Sequence, residues 1–348
     1  MLANPARHSR MNAFHTIVIG GGPAGLRCAT ILAHAGKSVL LLERQRRLGP
    51  KVCAGGIPPS SLALGVPDGL LEGRFDRQRI RTGRQDVRLT AQAPMVCTVN
   101  REKLGQWMEQ EARAAGVTIL AGTAAQTVTA EEVRTMHDRF RCAHLVGADG
   151  SASLVRRFLR LDSTQVGIGV HYQVPGHFTE MEWHLAPQRF LNGYAWIFPH
   201  QGSASIGAYA ARGVISPGRL QRELRNWAAL QEIDLIGISP RAALINFDYQ
   251  GWRFGNIYLV GDAAGLASGL TGEGIYAALL SGEVAARTIL DNGHTDSRFA
   301  ALLKRRYWHN RILRLTGKNR AYCTFILETL VAALRCGLVN HTALELGS

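Results

Sequence analysis

The chain has 348 residues, of which 46% are hydrophobic, and its formal net charge at pH 7 is +14. This hydrophobic content excludes an intrinsically disordered protein, and the length favours two domains or one large domain with an insertion. The positive charge favours anionic partners such as phosphorylated substrates or acidic lipid surfaces. Because aromatic residues are not interleaved with the basic ones, we predict no nucleic-acid partner.

The cysteines and the least polar segments bear on the compartment. None of the six cysteines is spaced as CxxC, so we predict no metal site and reduced thiols in a cytoplasmic protein. Residues 1–12 are polar and basic without an apolar run, and we expect no signal peptide there. The apolar segment Phe325–Val339 is too short and too charged to be a transmembrane span.

A βαβ unit is predicted near the start of the chain. The β-branched run Thr16–Ile19 is typical of a buried parallel strand, Leu26–Ala35 of a helix, and Ser38–Leu42 of a second strand. Glu43 follows the second strand, and Arg44 comes next. An acidic residue at this position accepts hydrogen bonds from a ribose in dinucleotide-binding proteins.

The loop between the first strand and the helix has the glycine spacing of a nucleotide-binding loop. Gly20 allows the tight turn, Gly22 allows the backbone to approach a pyrophosphate, and Gly25 allows the helix and strand to pack closely. Ala24 lies in the same loop. The helix N-terminus supplies free N–H groups and a dipole that favour phosphate. The unit therefore predicts a dinucleotide cofactor and leaves FAD and NAD open.

The next segments add two candidate charged groups. Phe75–Val99 is predicted to include a strand pair of a second sheet, and Arg101 follows its last strand. An apolar run from Ala143 leads to a strand that ends in Gly-Ala-Asp-Gly, which contains Asp149. A helix is predicted after it, with Ser151 or Ser153 as the N-cap.

The middle of the chain predicts an antiparallel sheet that forms the floor of a substrate domain. Its strands are expected at Thr164–Val174, Thr179–Leu185, Gly193–Pro199, Ser203–Ala210 and Ala242–Tyr249, with a helix at Pro217–Leu230. Tyr194, Trp196 and Phe198 alternate, so one face of their strand carries aromatic rings. Such a wall suits a long apolar substrate, and the alternative is an ordinary sheet core. Pro199 is predicted to end the strand because it lacks a ladder N–H.

A third motif returns to the nucleotide domain. Asn256–Val260 predicts a strand that runs into Gly261-Asp262, and Gly272 and Gly274 precede a helix that contains Ile275 and ends at Ile289. A carboxylate at the tip of this strand is placed to accept a hydrogen bond from a sugar-alcohol chain, which FAD has and NAD lacks. The helix N-terminus would stabilise negative charge on a reduced flavin.

The last part of the chain, residues 291–348, is predicted to be helical. It is strongly basic, with Lys304, Arg305, Arg306, Arg311, Arg314, Lys318 and Arg320 among aromatic and aliphatic residues. One interpretation is contact with an acidic membrane surface, and the other is a solvated helix face that packs its apolar residues on the body.

The motifs GGGPAG, GADG and GDAAG with TGEGI together resemble the FAD-binding flavoprotein superfamily that includes para-hydroxybenzoate hydroxylase. The resemblance extends over about Ala13–Leu290 and implies an α/β fold: a discontinuous Rossmann-type FAD domain with a parallel sheet (13–162 and 251–290), an inserted antiparallel-sheet substrate domain (163–250) and C-terminal helices (291–348). It also implies that Asp262 contacts the ribityl chain or pyrophosphate and that Arg101 lies near the phosphates or sugar chain. The adenine is expected near Ala125, and the alternative for Arg101 is a solvated helix start.

Two shorter segments resemble the geranylgeranyl reductase family, whose members use reduced FAD to saturate C=C bonds of polyprenyl chains. They are Lys51–Gly56 and Tyr194–Pro199 followed by Gly207. The pattern differs at Ala54 and at Tyr209, where the family has glycine. The resemblance implies hydride transfer from reduced flavin to a geranylgeranyl-type chain that is bound by Tyr194, Trp196, Phe198, Pro199 and Gly207.

The proton and electron sources are less defined by the sequence. Cys53 is the candidate proton donor, directly or through a water, and its alternative is a small buried side chain. His200 is a second candidate, and its alternative is a solvated loop histidine. With one dinucleotide loop, NADPH is expected to bind transiently, or a redox partner such as ferredoxin donates the electrons.

Two rival functions use the same scaffold. An FAD-dependent monooxygenase or halogenase is the first, since Tyr194–Pro199 faintly resembles the halogenase motif WxWxIP. A flavin-bearing electron carrier at a membrane partner is the second, and the cysteine spacing offers no iron–sulfur module for it.

Overall fold

The computed structural model describes residues 12–317 and 319–339. Residues 1–11 of the polar N-terminal segment predicted at 1–12 lie outside this part of the chain, and Asn12 begins β1. Lys318 and residues 340–348 of the segment predicted to be helical lie outside it as well. The strands are β1 (Asn12–Ile19), β2 (Val39–Glu43), β3 (Gly56–Ile57), β4 (Leu71–Phe75), β5 (Arg77–Arg81), β6 (Asp86–Thr90), β7 (Val96–Val99), β8 (Thr118–Ala121), β9 (Thr127–Val128), β10 (Glu132–Arg134), β11 (Arg139–Gly147), β12 (Val166–Pro175), β13 (Met181–His184), β14 (Tyr194–His200), β15 (Ser203–Ala211), β16 (Arg241–Asn246), β17 (Arg253–Phe254) and β18 (Ile257–Leu259). The helices are α1 (Pro23–His34), α2 (Arg101–Ala114), α3 (Leu154–Phe158), α4 (Pro187–Phe190), α5 (Pro217–Leu230), α6 (Ile275–Leu290), α7 (Ser297–Thr316) and α8 (Arg320–Arg335).

The first sheet is built on parallel strands in the order β18-β11-β1-β2-β8, with β17, β9 and β10 added in antiparallel pairings. The central strands are continuous aliphatic runs because helices cover them; Val39–Leu42 of β2 is buried throughout. Helix α1 packs against α2 on one side and against α6, which comes from the other end of the chain. The mixed α/β fold with a parallel sheet that the sequence predicts is confirmed.

The second sheet has seven strands in the order β16-β12-β15-β14-β13-β5-β6. Its pairings are antiparallel except for one: β13 pairs with β5 in parallel, with Trp183 opposite Ile80. The predicted strand pair within Phe75–Val99 thus joins this sheet as β5 and β6. One face packs on α5 through Leu220, Leu224 and Trp227. The other face carries the aromatic residues and faces α8.

Strand β14 continues beyond its predicted end. Its register runs through Pro199, opposite Ala204, to His200, opposite Ser203. Proline removes one N–H, yet its carbonyl remains available, and the Pro199 oxygen accepts a hydrogen bond from the Thr98 hydroxyl at 2.9 Å. This bond also ties β14 to the third, three-stranded sheet β3-β7-β4.

Residues 12–317 and 319–339 contain neither a candidate metal site nor a helix that could span a membrane. No group of three or more His, Cys, Asp or Glu side chains there could hold a metal ion. No helix in the same part of the chain is long and apolar enough to cross a bilayer.

Candidate active site

A large open cavity lies where the parallel sheet meets the aromatic face of the seven-stranded sheet. The glycine loop, the segment around Cys53, the start of α2 and the loop before α6 form one side of it. Strands β12, β14, β15 and β16 form the other. Of the predicted site residues, the cavity is lined by Gly22, Ala24, Cys53, Arg101, Tyr194, Trp196, Phe198, Gly261, Asp262, Gly272, Gly274 and Ile275.

The glycine loop leaves an uncapped helix start beside open space. Gly20 has φ +110°, and a Cβ atom there would lie 2.3 Å from the Ala148 carbonyl oxygen. A Cβ atom at Gly25 would lie 2.1 Å from the Gly20 oxygen, so these two glycines are required by the turn and its packing. At Gly22, by contrast, a Cβ atom would meet nothing within 4 Å, and α1 starts there without a side-chain cap. The free N–H groups of α1 therefore form an anion site of the kind that binds a pyrophosphate.

Glu43, Arg44 and Ala125 lie at one edge of the parallel sheet, outside the central cavity. The Glu43 carboxylate accepts hydrogen bonds from the backbone N–H of Gly21 at 2.7 Å and of Gln45 at 2.8 Å. Its carbonyl accepts the N–H of Thr123 at 2.8 Å, which brings the segment that leads to Ala125 to the end of β2. Glu43 thus fixes the glycine loop through its hydrogen bond with Gly21. Arg44, the next residue, is exposed.

Arg101 is a buried cation that forms no ion pair within residues 12–317 and 319–339. Its side chain starts α2 and reaches the cavity, with Asn100 capping the helix. Its Nε and Nη1 atoms are buried and have no hydrogen-bond partner among the described residues. Burial lowers the pKa of the guanidinium, while nearby Cys53 and Asp262 act in the opposite direction. Burial excludes the solvated position that the sequence left open, and an orphaned buried guanidinium fits a phosphate or another anion in the cavity.

Asp262 sits at the tip of β18 and is already partnered. Its Oδ2 atom accepts hydrogen bonds from Lys51 Nζ at 3.1 Å and from the Ser151 hydroxyl at 3.2 Å. The Asn246 amide donates to its backbone carbonyl at 2.9 Å. Neither Lys51 nor Ser151 was predicted as a site residue, because their partner lies more than a hundred residues away in sequence.

Asp149 serves the local fold. Its Oδ2 atom accepts the N–H of Leu154 at 2.6 Å and of Val155 at 3.4 Å, so the carboxylate holds the start of α3. Ser153, one of the two predicted caps, accepts the N–H of Arg156 at 2.9 Å. Burial raises the pKa of Asp149, and these hydrogen bonds oppose the rise. The neighbours of Asp149 in sequence, Ala148 and Gly150, line the cavity.

The loop between β18 and α6 presents backbone groups to the cavity. Gly272 has φ +67°, and Gly274 precedes α6 without a side-chain cap. Two tyrosines of the neighbouring sheet hold the loop: the Tyr209 hydroxyl donates to the Gly269 carbonyl at 2.8 Å, and that of Tyr194 donates to the Thr271 carbonyl. The N-terminus of α6, where the Glu273 carboxylate accepts the N–H of Tyr276 at 2.7 Å, therefore has a fixed position beside the cavity.

The aromatic wall comprises Trp183, Tyr194, Trp196, Phe198 and Tyr209. Its rings contact one another at centroid distances between 5.0 Å (Trp183–Tyr194) and 6.2 Å (Trp196–Phe198). Gly207 does not line the cavity but makes room for the wall, since a Cβ atom there would lie 2.2 Å from the Trp196 ring. Trp183 was not predicted because its strand pairs with β14 and β5 only in the folded protein.

His171 is a polar group among these rings. It is buried on β12, and its Nδ1 atom lies 2.9 Å from the Ser205 hydroxyl, which also accepts the indole N–H of Trp196 at 3.1 Å. Burial, with contributions from Arg241 and His200, lowers the pKa of His171 to about 4. The ring is therefore neutral near pH 7 and adds no charge to an apolar wall.

Cys53 lines the cavity in a loop that His200 holds. The Cys53 sulfur accepts the N–H of Gly55 at 3.4 Å. His200 is buried; its Nε2 atom lies 2.8 Å from the Ala54 carbonyl and its Nδ1 atom 2.8 Å from the Glu72 carboxylate. The alternative of a solvated His200 is therefore wrong. Strand β14 extends through this residue, and its ring packs between the Ala54 carbonyl and the Glu72 carboxylate.

These features fit FAD. The glycine loop offers free N–H groups, Arg101 lacks an anion, and Asp262 and the start of α6 face the same cavity. Together they match a long ligand that carries a diphosphate, a hydroxylated linker and a ring that accepts negative charge.

Comparisons with known proteins agree. A family model described as FAD binding domain matches residues 13–211. The chain is 29% identical to the geranylgeranyl diphosphate reductase of Rhodobacter capsulatus, over 80% of this chain and 75% of that protein. It is also 29% identical to digeranylgeranylglycerophospholipid reductase 2 of Methanothermobacter thermautotrophicus, over 88% of this chain and 85% of that protein.

The fold has a counterpart among solved structures. The crystal structure of a geranylgeranyl bacteriochlorophyll reductase-like protein from Thermoplasma acidophilum superposes with a TM-score of 0.73 at 19% identity, covering 89% of this chain and 92% of that one. The family model alone covers more than half of the chain. The chain is therefore an FAD-binding oxidoreductase that belongs to the FAD binding domain family.

Proposed function

We propose that this protein saturates C=C bonds of a polyprenyl chain, of the geranylgeranyl type, with electrons from FAD. The observation that carries the proposal is the composition of the cavity: charged and backbone groups suited to FAD on one side, and a wall of five aromatic rings on the other. Both relatives are named as reductases of geranylgeranyl compounds, which supports the same substrate class.

On the cofactor side of the cavity, different residues would contact different parts of FAD. The start of α1 at Gly22 and the guanidinium of Arg101 would hold phosphate oxygens, and Asp262 would accept a hydrogen bond from the linker. The start of α6 at Gly274 would place N–H groups beside the flavin ring. Glu43, Arg44 and Ala125 would hold the adenosine half at the sheet edge.

At the substrate side, the wall would align a flexible chain and keep water out. Tyr194, Trp196 and Phe198 supply flat apolar surface on β14, which also contains Pro199, and Gly207 of β15 makes room for the Trp196 ring. Neutral His171 leaves the wall uncharged. Bound FAD, once reduced, supplies a hydride to one carbon of the double bond. We propose that the Cys53 thiol, or a water held by it, delivers a proton to the other carbon.

The electron donor and the setting complete the proposal. The described chain has a single glycine loop of the dinucleotide type, so we propose that NADPH or a redox protein such as ferredoxin reduces FAD in a transient complex. Because the substrate would be a lipid, we also propose that the protein works in the cytoplasm at a membrane surface.

Anaerobic reoxidation tests the function. The holoenzyme is photoreduced and mixed with geranylgeranyl diphosphate or a geranylgeranyl lipid without oxygen. We expect the oxidised flavin spectrum to return together with a saturated product. If the flavin stays reduced across these substrates and reoxidises only with oxygen, the reductase proposal fails and the monooxygenase alternative gains support.

A matched pair of tryptophan variants tests the wall. Trp196→Leu removes a ring that lines the cavity. Trp227→Leu removes a buried ring of α5, the helix that packs on the opposite face of the same sheet. We expect Trp196→Leu to raise the substrate concentration for half-maximal reoxidation about tenfold or more, because a large aromatic contact is lost. Trp227→Leu should affect stability alone; equal effects of both variants on reoxidation would refute a substrate role for the wall.

A further inference from the structure

The outward side of α7 carries a cluster of exposed rings around an arginine. Tyr307 and Trp308 are 55% and 51% exposed, and their ring centroids lie 5.8 Å apart. The Arg311 guanidinium lies 5.4 Å from the Trp308 centroid and 5.9 Å from that of Tyr307. Large exposed aromatics in contact are uncommon on a surface that faces only water.

Exposed apolar side chains also occur further along α7 and on α8. Leu315, two turns beyond Trp308 on α7, is 39% exposed. On α8, Tyr322 and Phe325 are 40% and 67% exposed and lie one turn apart. We call these residues, with Tyr307, Trp308, Arg311 and Arg314, the terminal-helix face.

The charges around this face are all of one sign. Residues 297–327 contain no aspartate or glutamate. Lys304, Arg311, Arg314 and Arg320 are exposed, and no ion pair joins them to an acidic side chain within residues 12–317 and 319–339. The next acidic residue, Glu328, is turned toward the body, where its carboxylate accepts hydrogen bonds from Thr82 and Gln85 at 2.8 Å each.

The inner side of α8 borders a second cavity. Leu327, Leu330, Val331 and Leu334 line this cavity, whose volume is about 580 Å³ and whose lining is almost entirely apolar. It shares Trp183, Tyr194 and Thr271 with the central cavity. The helix that exposes Tyr322 and Phe325 outward therefore also separates the surface from the aromatic wall.

We infer that the terminal-helix face docks on an anionic lipid bilayer. Aromatic rings and arginines are the side chains that settle at the boundary between headgroups and acyl chains, and an acid-free basic surface selects anionic headgroups. The inference rests on the proposed function in one respect: docking would bring α8 and the two cavities next to it close to a lipid substrate. It names a partner that docking tests can examine without any turnover.

The experiment uses the holoenzyme and vesicle flotation. Vesicles of phosphatidylcholine alone are compared with vesicles that also contain phosphatidylglycerol. We expect binding to the anionic vesicles only, weakened by salt. Absence of binding to anionic vesicles, or equal binding to both compositions, would overturn the inference.

Charge reversal tests the position of the contact. Arg311→Glu/Arg314→Glu changes the terminal-helix face, and Arg219→Glu/Arg222→Glu makes the same change in charge on exposed positions of α5. We expect the first pair to weaken vesicle binding at least about tenfold, because each basic residue near an anionic surface contributes about fivefold. The α5 pair should weaken it far less; equal loss in both would show a general charge effect and overturn the assignment of the face.

Apolar variants and a soluble assay separate the remaining outcomes. Trp308→Ala/Phe325→Ala should reduce binding, whereas Ile236→Ala, which removes a side chain that is 89% exposed in another region, should not. If the face instead joins two copies of the chain, sedimentation would show a dimer that Trp308→Ala dissociates, and the inference fails. The two double variants of the terminal-helix face should keep activity on detergent-dispersed substrate. If the wild-type protein binds vesicles but has no such activity, the proposed function fails and the docking surface stands.

Discussion

At the scale of single residues, Arg101 places a positive charge in the interior of the protein. No ion pair joins its guanidinium to an anion in the described chain, and burial lowers its pKa although nearby Cys53 and Asp262 act in the opposite direction. A buried unpaired charge lowers stability, so such a group persists when a ligand supplies the counter-charge.

Arg101→Met is the first prediction. We expect FAD affinity to fall about 10- to 100-fold, since hydrogen bonds to charged groups contribute about 1.5–3 kcal/mol. The apoprotein should be no less stable than the wild type, because the variant removes an unpaired buried cation. Fluorescence titration with FAD and thermal unfolding of the apoprotein measure the two quantities.

The control is Arg113→Met, at the other end of α2, where the arginine pairs with Glu109 on the surface at 2.8 Å. It should leave FAD affinity unchanged. A less stable Arg101→Met apoprotein with normal FAD affinity would instead make Arg101 a structural residue.

What the sequence predicts at this scale depends on how local the signal is. Gly20, Gly22 and Gly25 were assignable because their spacing alone encodes the turn. Arg101 and Asp262 needed a family resemblance, and their burial and partners needed the structure. His171 gave no signal, and the recognised segment Lys51–Gly56 gave none for the contact of Lys51 with Asp262, since both environments come from strands and loops far away in sequence.

At the scale of elements, the loop between β18 and α6 is held from two directions. The tyrosines of β14 and β15 bind it on one side. On the other, Arg306 of α7 contacts the Glu273 carboxylate at 2.9 Å and donates to the Leu266 carbonyl at 2.6 Å. A loop that faces a cofactor is thereby fixed before the cofactor arrives.

Arg306→Met is the prediction at this scale. It leaves the nearly buried Glu273 carboxylate without this partner, so we expect the free energy of unfolding to fall by about 3–5 kcal/mol. Urea denaturation measures it. Lys304→Met, at an exposed position of the same helix, should change it by less than about 0.5 kcal/mol. A loss under about 1 kcal/mol for Arg306→Met would mean that the tyrosines alone hold the loop.

The elements themselves were largely predictable. The helix Pro217–Leu230 has the predicted bounds, because Leu220, Leu224 and Trp227 recur at helical spacing. The strand order was not predictable: the parallel β13–β5 pair joins segments about a hundred residues apart, and no local pattern specifies it. The predicted domain boundaries and the roles of the site residues stay predictions.

At the scale of the whole molecule, the cofactor fold is closed by contact between α1 and α6. A Cβ atom at Gly282 of α6 would lie 2.2 Å from the Ala24 carbonyl oxygen of α1. The Arg27–Glu283 ion pair, at 2.6 Å, joins the same two helices. The two parts of the chain that surround the cavity thus meet backbone to backbone.

Gly282→Ala is the prediction here. The added methyl group must push the helices apart, and we expect a loss of about 1–3 kcal/mol in the free energy of unfolding. Gly218→Ala, also in a helix but with nothing within 4 Å of its Cβ position, should instead gain about 0.5–1 kcal/mol. Denaturant titration of both variants checks the sign; a stabilised Gly282→Ala would show that the contact is loose.

The pairing of β11 with β18 sets a schedule for synthesis. Leu145–Gly147 of β11 pair with Ile257–Leu259, and α6 follows later still. On the ribosome this edge of the sheet stays open for roughly 5–20 s at ordinary elongation rates. An uncovered strand edge can pair with another nascent chain. The risk of aggregation, and the need for a chaperone, is therefore greatest in this interval. In the proposed FAD site α6 is the last element to be synthesised, so capture of the vitamin-derived cofactor is expected to be a late event in the life of the nascent protein.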